Sequence, residues 1–332
     1  MKVLITGCAG FIGFHLARKL LSEGSKVYGV DSINDYYDIN IKNDRLKILK
    51  KFDNFSFFKK DISDPSIIEV FSEEDFDNIY HLAAQAGVRY SIDFPESYTS
   101  SNLVGFANIL ELTRKIESRL IFASTSSVYG ANENLPFSEK NFADHPIQYY
   151  AATKRSNEIM AHSYSAMYGL EMIGLRFFTV YGPFGRPDMA LFKFTKNIIN
   201  DKPIEVFNNG NHVRDFTYVD DIVSGIEACS SYVFACSSWD GFNPTPHNSK
   251  FNFRIFNLGN GNPVNLMDYI KVIEKELGKK AAIKYLPMQV GDVSETIADI
   301  SNSSQELGFL PKTRVDIGVP NFIKWYKDYY SL

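Results

Sequence analysis

Tyr150 and Lys154 stand four residues apart in the segment Tyr150-Ala151-Ala152-Thr153-Lys154, which puts both on one face if the segment is helical. A tyrosine phenol, with a pKa of about 10, is a poor base at neutral pH. An ammonium fixed one turn away would favour the phenolate, and the phenol could then take a proton from a substrate hydroxyl. The same spacing occurs by chance on surface helices, so the pair needs an independent signal beside it. Neighbouring Tyr149 has no lysine at that distance. Thr125-Ser126-Ser127 closes the apolar run Leu120 to Ser124 and offers hydroxyls that could hydrogen-bond the reacting oxygen. A plain polar loop would read the same way, but the place at a strand end favours a site.

The independent signal is Gly7-Cys8-Ala9-Gly10-Phe11-Ile12-Gly13, directly after the apolar run Lys2 to Thr6. Gly7 suits a tight turn after a strand, Gly10 lets backbone amides approach a pyrophosphate, and Gly13 lets a helix pack closely on the sheet. Phe11 and Ile12 belong to the same first helical turn. The glycines are spaced two and two, not one and two as in the commonest dinucleotide fingerprint. Asp31 ends the next expected strand, where a carboxylate would accept from both adenosine ribose hydroxyls and repel a 2′-phosphate, so NAD is expected rather than NADP. Asn34, on the same loop, is a further cofactor candidate. Asp61-Ile62 could frame the adenine edge, although Asp61 could equally cap the Ser63-Asp64-Pro65 turn. Cys8 reads as a small filler. A bound nicotinamide would add its positive charge to the pull on the Tyr150 proton and bring its ribose within reach of Lys154. The two segments together describe hydride transfer with Tyr150 as acid/base.

Short apolar runs alternate with helix-period segments up to about Phe177, the pattern of βαβ units around a parallel sheet. Strands are expected at Lys2 to Thr6, Lys26 to Asp31, Ser56 to Phe58, Asn78 to Leu82, Leu120 to Ser124 and Glu171 to Phe177. Helices are expected near Phe11 to Glu23, Ser66 to Phe71, Ser101 to Ile116 and Tyr149 to Tyr168. This is an α/β fold, a Rossmann-type doubly wound domain over 1–177, with a return excursion near 212–230. Residues 178–332 form a smaller, mainly helical lobe, with helices near Leu191 to Asn200, Asp220 to Cys229, Leu266 to Leu277 and Val315 to Tyr329. A long surface loop is expected from Ser237 to Lys250. Loops after Thr6, Asp31, Leu82, Ser124 and Phe177 should face one cleft at the carboxyl ends of the strands.

The 332 residues carry a formal net charge of -4, which gives no support to nucleic acid or an anionic membrane as partner. No apolar stretch is long enough for a membrane span. Cys8, Cys229 and Cys236 are too few for a disulfide framework or zinc site, and the six histidines are scattered. No metal is expected, and a reducing cytoplasmic setting is.

The glycine motif, the Tyr150/Lys154 pair, His81-Leu82-Ala83-Ala84 and Thr125-Ser126-Ser127-Val128-Tyr129-Gly130 together resemble the extended short-chain dehydrogenase/reductases that act on nucleotide sugars. Four longer strings look like the UDP-glucuronate 4-epimerases among them: Asp31 to Asp38, Gly87 to Ser91, Gly185 to Ala190, and Arg214 to Tyr218. The resemblance implies that Thr125 and Tyr150 act on the C4 oxygen, that Lys154 and Asn102 hold the nicotinamide half, and that Leu82, Ala83 and Ala84 line the cofactor. It implies Arg214 for the diphosphate, with Gln289 and the backbone of Val206 and Phe207 around the nucleotide. Arg89, Thr179, Arg186, Ser126 and Ser127 are its candidates for the sugar and a carboxylate. Related 4,6-dehydratases and uronate decarboxylases carry an acid in the turn after the catalytic Thr/Ser, where this chain has serines. UDP-glucose or N-acetylhexosamine 4-epimerisation stays open, Thr296 leaving room for a larger C2 group where some relatives have tyrosine. A non-catalytic NAD-sensing protein is disfavoured by the intact Tyr/Lys pair. A homodimer through the Ser101 to Ile116 and Tyr149 to Tyr168 helices is expected from the same resemblance.

Overall fold

Val3, Leu4 and Ile5 are wholly buried, Val3 and Ile5 toward one core and Leu4 toward another. A strand covered on both faces reads as an unbroken apolar run and belongs in a parallel sheet. The computed structural model describes residues 1–234 and 239–332. In it Lys2–Thr6 (β1) joins Lys26–Asp31 (β2), Phe55–Lys59 (β3), Asn78–His81 (β4), Arg119–Thr125 (β5) and Met172–Phe177 (β6). A seventh strand, Phe253–Leu258, completes the sheet, whose order is Phe253–Leu258, β6, β5, β4, β1, β2, β3. Every pairing is parallel. The order reverses between β1 and β4, which opens the crevice where doubly wound sheets bind ligands.

The helix Phe11–Ser22 (α1) packs with Val219–Ala228 on one face, and Ser66–Phe71 and Gly105–Ile116 cover the other. Several features lay beyond the sequence expectation, among them the short helices Tyr90–Asp93, Pro95–Tyr98 and Ser301–Leu307. The seventh strand was not expected, because Arg254 and Asn257 interrupt its apolar run; both are buried and held by hydrogen bonds, Arg254 to Glu306 and Asn257 to Tyr129 and Phe137. The helix Ile39–Leu49 (α2) was also unforeseen, since its buried face includes the cations Lys42 and Arg45. The expected Ser101 to Ile116 helix opens as a wider π-helical turn, Thr99–Val104, of the kind frequent at functional sites.

In the second half, Ala190–Ile199, Leu266–Leu277 and Val315–Tyr330 share a third core with two short strand pairs, Thr179–Tyr181 on Phe216–Tyr218 and Ile204–Val206 on Ile283–Tyr285. Cys8 and Cys229 are buried free thiols, whereas Cys236 and the first residues of the expected Ser237 to Lys250 loop lie outside the described residues. Among the described residues no helix is long and apolar enough to cross a membrane, and no group of acidic, His and Cys side chains could hold a metal.

Candidate active site

Gly7 sits at φ +74°, and a Cβ there would stand 2.7 Å from the Ala83 nitrogen. The loop is pressed against the end of β4, where the Leu82 and Ala83 amides donate to the Thr6 carbonyl and hydroxyl. Gly13 is required for a different reason from the one its motif suggests: a Cβ would meet the Gly7 carbonyl oxygen at 2.1 Å, so the helix closes on the loop rather than on the sheet. Gly10 caps α1 without a side-chain bond, leaving the Phe11, Ile12 and Gly13 amides with no intrahelical acceptor. Such an end attracts an anion.

Asp31 is half-buried, and burial raises its pKa. Its carboxylate accepts from the Ala9 amide at 3.1 Å and the Ile33 amide at 2.8 Å. Asn34 accepts from Lys42 Nζ through both its backbone and side-chain oxygens. Asp61 caps the turn after β3: one carboxylate oxygen takes the Ser63 amide and hydroxyl, both at 2.8 Å. Ile62 is buried against Gly105. The half-buried Leu82, Ala83 and Ala84 lead away from β4. A glycine cradle with no room for a Cβ, unpaired helix-end amides and a carboxylate on the next strand fit a dinucleotide.

Tyr150 and Lys154 occupy the first turns of the Tyr149–Tyr168 helix. The half-buried Tyr150 packs edge-on to Tyr98, with ring centroids 6.0 Å apart, on the side of the Thr125 hydroxyl. Lys154 is 1% exposed; its Nζ donates to the Ala123 carbonyl at 3.0 Å, and burial pushes its pKa down to about 8. Burial raises the pKa of Tyr150, against the Arg186 charge and the Thr125 bond, which both lower it. Lys154 thus has its ammonium anchored on β5 one helical turn from the phenol, and Arg186 adds a second positive charge on the sugar side.

Thr125 accepts the Ser127 amide and donates to the Ser127 hydroxyl, both at 3.2 Å, with Ser126 half-buried beside them. Glu158, one turn beyond Lys154, accepts from Ser124 Oγ at 2.6 Å and from Arg176 twice at 2.9 Å, all within the interior. Asn102, buried in the π-helical turn, spends its amide on the Gln85 backbone and the Thr153 hydroxyl, so it braces this helix from behind.

On the sugar side, Arg186 forms a side-on ion pair with Asp188, whose other donor is the Tyr36 hydroxyl at 3.2 Å. A Cβ at Gly87 would meet that same hydroxyl. Three of the four strings singled out in the sequence thus converge. Arg89 is exposed, stacks 4.6 Å above Phe207 and pairs with Asp292 at 3.1 Å. Arg214 donates to the Val213, Ser294 and Val293 carbonyls. Thr179 is half-buried, its amide on the Asp215 carbonyl. Gln289 has a buried, unpartnered Oε1, whereas Val206 lies in the core of the lobe. Thr296 is buried, with its hydroxyl on the Asp215 amide at 3.4 Å. Tyr36 and Asp188 were missed as individuals although their strings were noticed; Asp292 and Arg45 carry no motif of their own.

The family described as GDP-mannose 4,6 dehydratase matches residues 4–322. The chain is 52% identical to Protein CapI of Staphylococcus aureus over all of both chains. It is 44% identical to UDP-glucuronate 4-epimerase 4 of Arabidopsis thaliana, across all of this chain and 76% of that one. A UDP-glucuronic acid 4-epimerase from Bacillus cereus, solved with UDP-glucuronic acid and NAD, superposes with a TM-score of 0.88 at 33% identity over 99% of this chain and 100% of that one. With its glycine cradle and Tyr/Lys helix on the same sheet, this chain belongs to the extended short-chain dehydrogenase/reductases, in the GDP-mannose 4,6-dehydratase family.

Proposed function

We propose that this protein catalyses NAD-dependent C4 epimerisation of a UDP-hexuronate, UDP-glucuronate to UDP-galacturonate, through transient oxidation at C4. The observation that carries the reading is Arg186, whose guanidinium Asp188 fixes side-on, with Tyr36, Gly87 and Tyr98 linking that pair to Tyr150. An acid/base group and a fixed cation for a sugar carboxylate then share one corner. The relatives and the solved structure named for UDP-glucuronate support the same substrate.

The amides of Phe11, Ile12 and Gly13 would hold the pyrophosphate, Asp31 the adenosine ribose, and Lys154 the nicotinamide ribose. The chemistry that bound NAD supplies is reversible acceptance of the C4 hydride. Tyr150 Oη takes the C4 hydroxyl proton and returns it after the sugar has turned, with Thr125 aligning the same oxygen. Arg89 and Arg214 serve the diphosphate, and Gln289 and Phe207 serve the nucleotide. The 4-keto intermediate is a β-keto acid prone to losing carbon dioxide. Arg186, Ser126, Ser127 and Thr179 keep its carboxylate out of line for that cleavage. Elimination would need an acid or base at C5 or at the departing group, and Ser126 and Ser127 supply neither.

Purified protein incubated separately with UDP-glucuronate, UDP-glucose and UDP-N-acetylglucosamine, followed by proton NMR, tests the substrate. Only the uronate should give its C4 epimer. Conversion of a neutral sugar instead, release of carbon dioxide, or a keto-deoxy product by mass would overturn the reading.

A further inference from the structure

Arg45 is wholly buried on α2, and its guanidinium makes no ion pair among the described residues. Its donors go to three oxygens from three segments. Nη1 donates to the Ala9 carbonyl of the glycine loop at 2.7 Å and to the Tyr37 hydroxyl at 2.8 Å, and Nη2 donates to the Phe184 carbonyl at 2.7 Å. Nε has no partner. Charges are rarely left in an interior without a counter-ion, and structural packing alone would be served by a neutral side chain.

Both ends of this bridge are unusual. Ala9 is gripped twice, its amide by Asp31 and its carbonyl by Arg45, inside the loop that would hold a pyrophosphate. Phe184 lies at φ +54°, left-handed backbone that a bulky residue adopts at a cost and keeps only where surroundings enforce it. His15 on α1 holds the preceding carbonyl, Pro183, at 2.8 Å. Burial pushes its pKa down to about 3, so the ring is neutral and donates from Nε2. Two residues beyond Phe184 comes Arg186. A side chain that grips the cofactor loop therefore also sets the turn that carries Arg186 and its partner Asp188.

We propose that Arg45 is a positioning residue that couples the dinucleotide loop to the Pro183 to Asp188 segment. An anion bound by the loop adds its charge to that of Asp31 across Ala9, and the tightened bridge holds Arg186 ready for the sugar. The inference rests on the NAD part of the reading above and is independent of which sugar is used.

Hydrogen exchange of the peptide spanning 182–189, with and without NAD, tests the coupling in the unaltered chain and in Arg45→Lys and Arg45→Met. NAD should slow exchange there at least threefold in the parent. Lysine keeps the charge but reaches one carbonyl, so Arg45→Lys should bind NAD within about threefold of the parent affinity and show no such protection. Arg45→Met should also lose at least tenfold in NAD affinity by calorimetry. NAD binding to the parent without protection of the peptide, or equal protection in Arg45→Lys, overturns the coupling alone. No NAD binding by the parent overturns the cofactor reading with it.

Discussion

A phenol whose pKa is raised by burial is fully protonated at neutral pH, so Tyr150 needs nearby positive charge to act as a base; Arg186 and Thr125 both pull its pKa down. Tyr150→Phe should lower kcat by about 10³-fold with NAD affinity unchanged by calorimetry; undiminished turnover would remove the phenol from the chemistry. Arg186→Met should move the rising limb of the kcat pH profile to higher pH and raise KM for the uronate, whereas an unmoved limb would mean that its charge does not reach the phenol. Lys154 titrates near 8 in the fold, against about 10.4 in an open chain. Its ammonium is therefore disfavoured by folding, at an upper bound of about 3 kcal/mol below pH 8, and stability is regained as pH climbs from 8 toward 10.4. Thermal melts of ligand-free protein should show Lys154→Met more stable at pH 7, the gap closing across that window; a constant gap would contradict the assignment. The Tyr/Lys pair was legible from spacing, because spacing on a helix fixes a shared face. That the Arg186 charge also reaches the phenol was not, since Arg186 comes from a turn that no local pattern aims.

At the scale of elements, the Tyr149–Tyr168 helix is fixed to β5 by Glu158, which holds Ser124 and the buried Arg176 together. Glu158→Gln would leave Arg176 facing a neutral amide, and denaturant unfolding should show a loss of about 3 kcal/mol. A loss within error would show that the clip is dispensable. Gly13→Ala drives a methyl onto the Gly7 carbonyl, so NAD affinity should collapse before the fold does. The first six sheet strands were visible as apolar runs bounded by turns, and their ends fell within about two residues. The seventh strand and α2 were hidden for one cause. Arg254 and Asn257 in the seventh strand, and Lys42 and Arg45 in α2, are polar side chains pointed inward, where tertiary hydrogen bonds outweigh the local pattern.

For the whole molecule, the sheet draws its last strand from residues 253–258 and its flanking helix Val219–Ala228 from beyond the first half, so the two halves of the chain interleave around one crevice. Val104, Ile159, Met167 and Tyr168 remain exposed on the Thr99–Ile116 and Tyr149–Tyr168 stretches, the helices expected to pair two copies. Sedimentation equilibrium should return a dimer mass, and a monomer at micromolar concentration would count against that pairing. The central claim is that the hydrogen taken from C4 is the one given back to its opposite face. Incubation of the enzyme with UDP-glucuronate in deuterium oxide, followed by proton NMR and mass spectrometry, tests it most directly. Return of the same hydrogen gives a UDP-galacturonate product that keeps its protium at C4; deuterium at C4 would rule that return out.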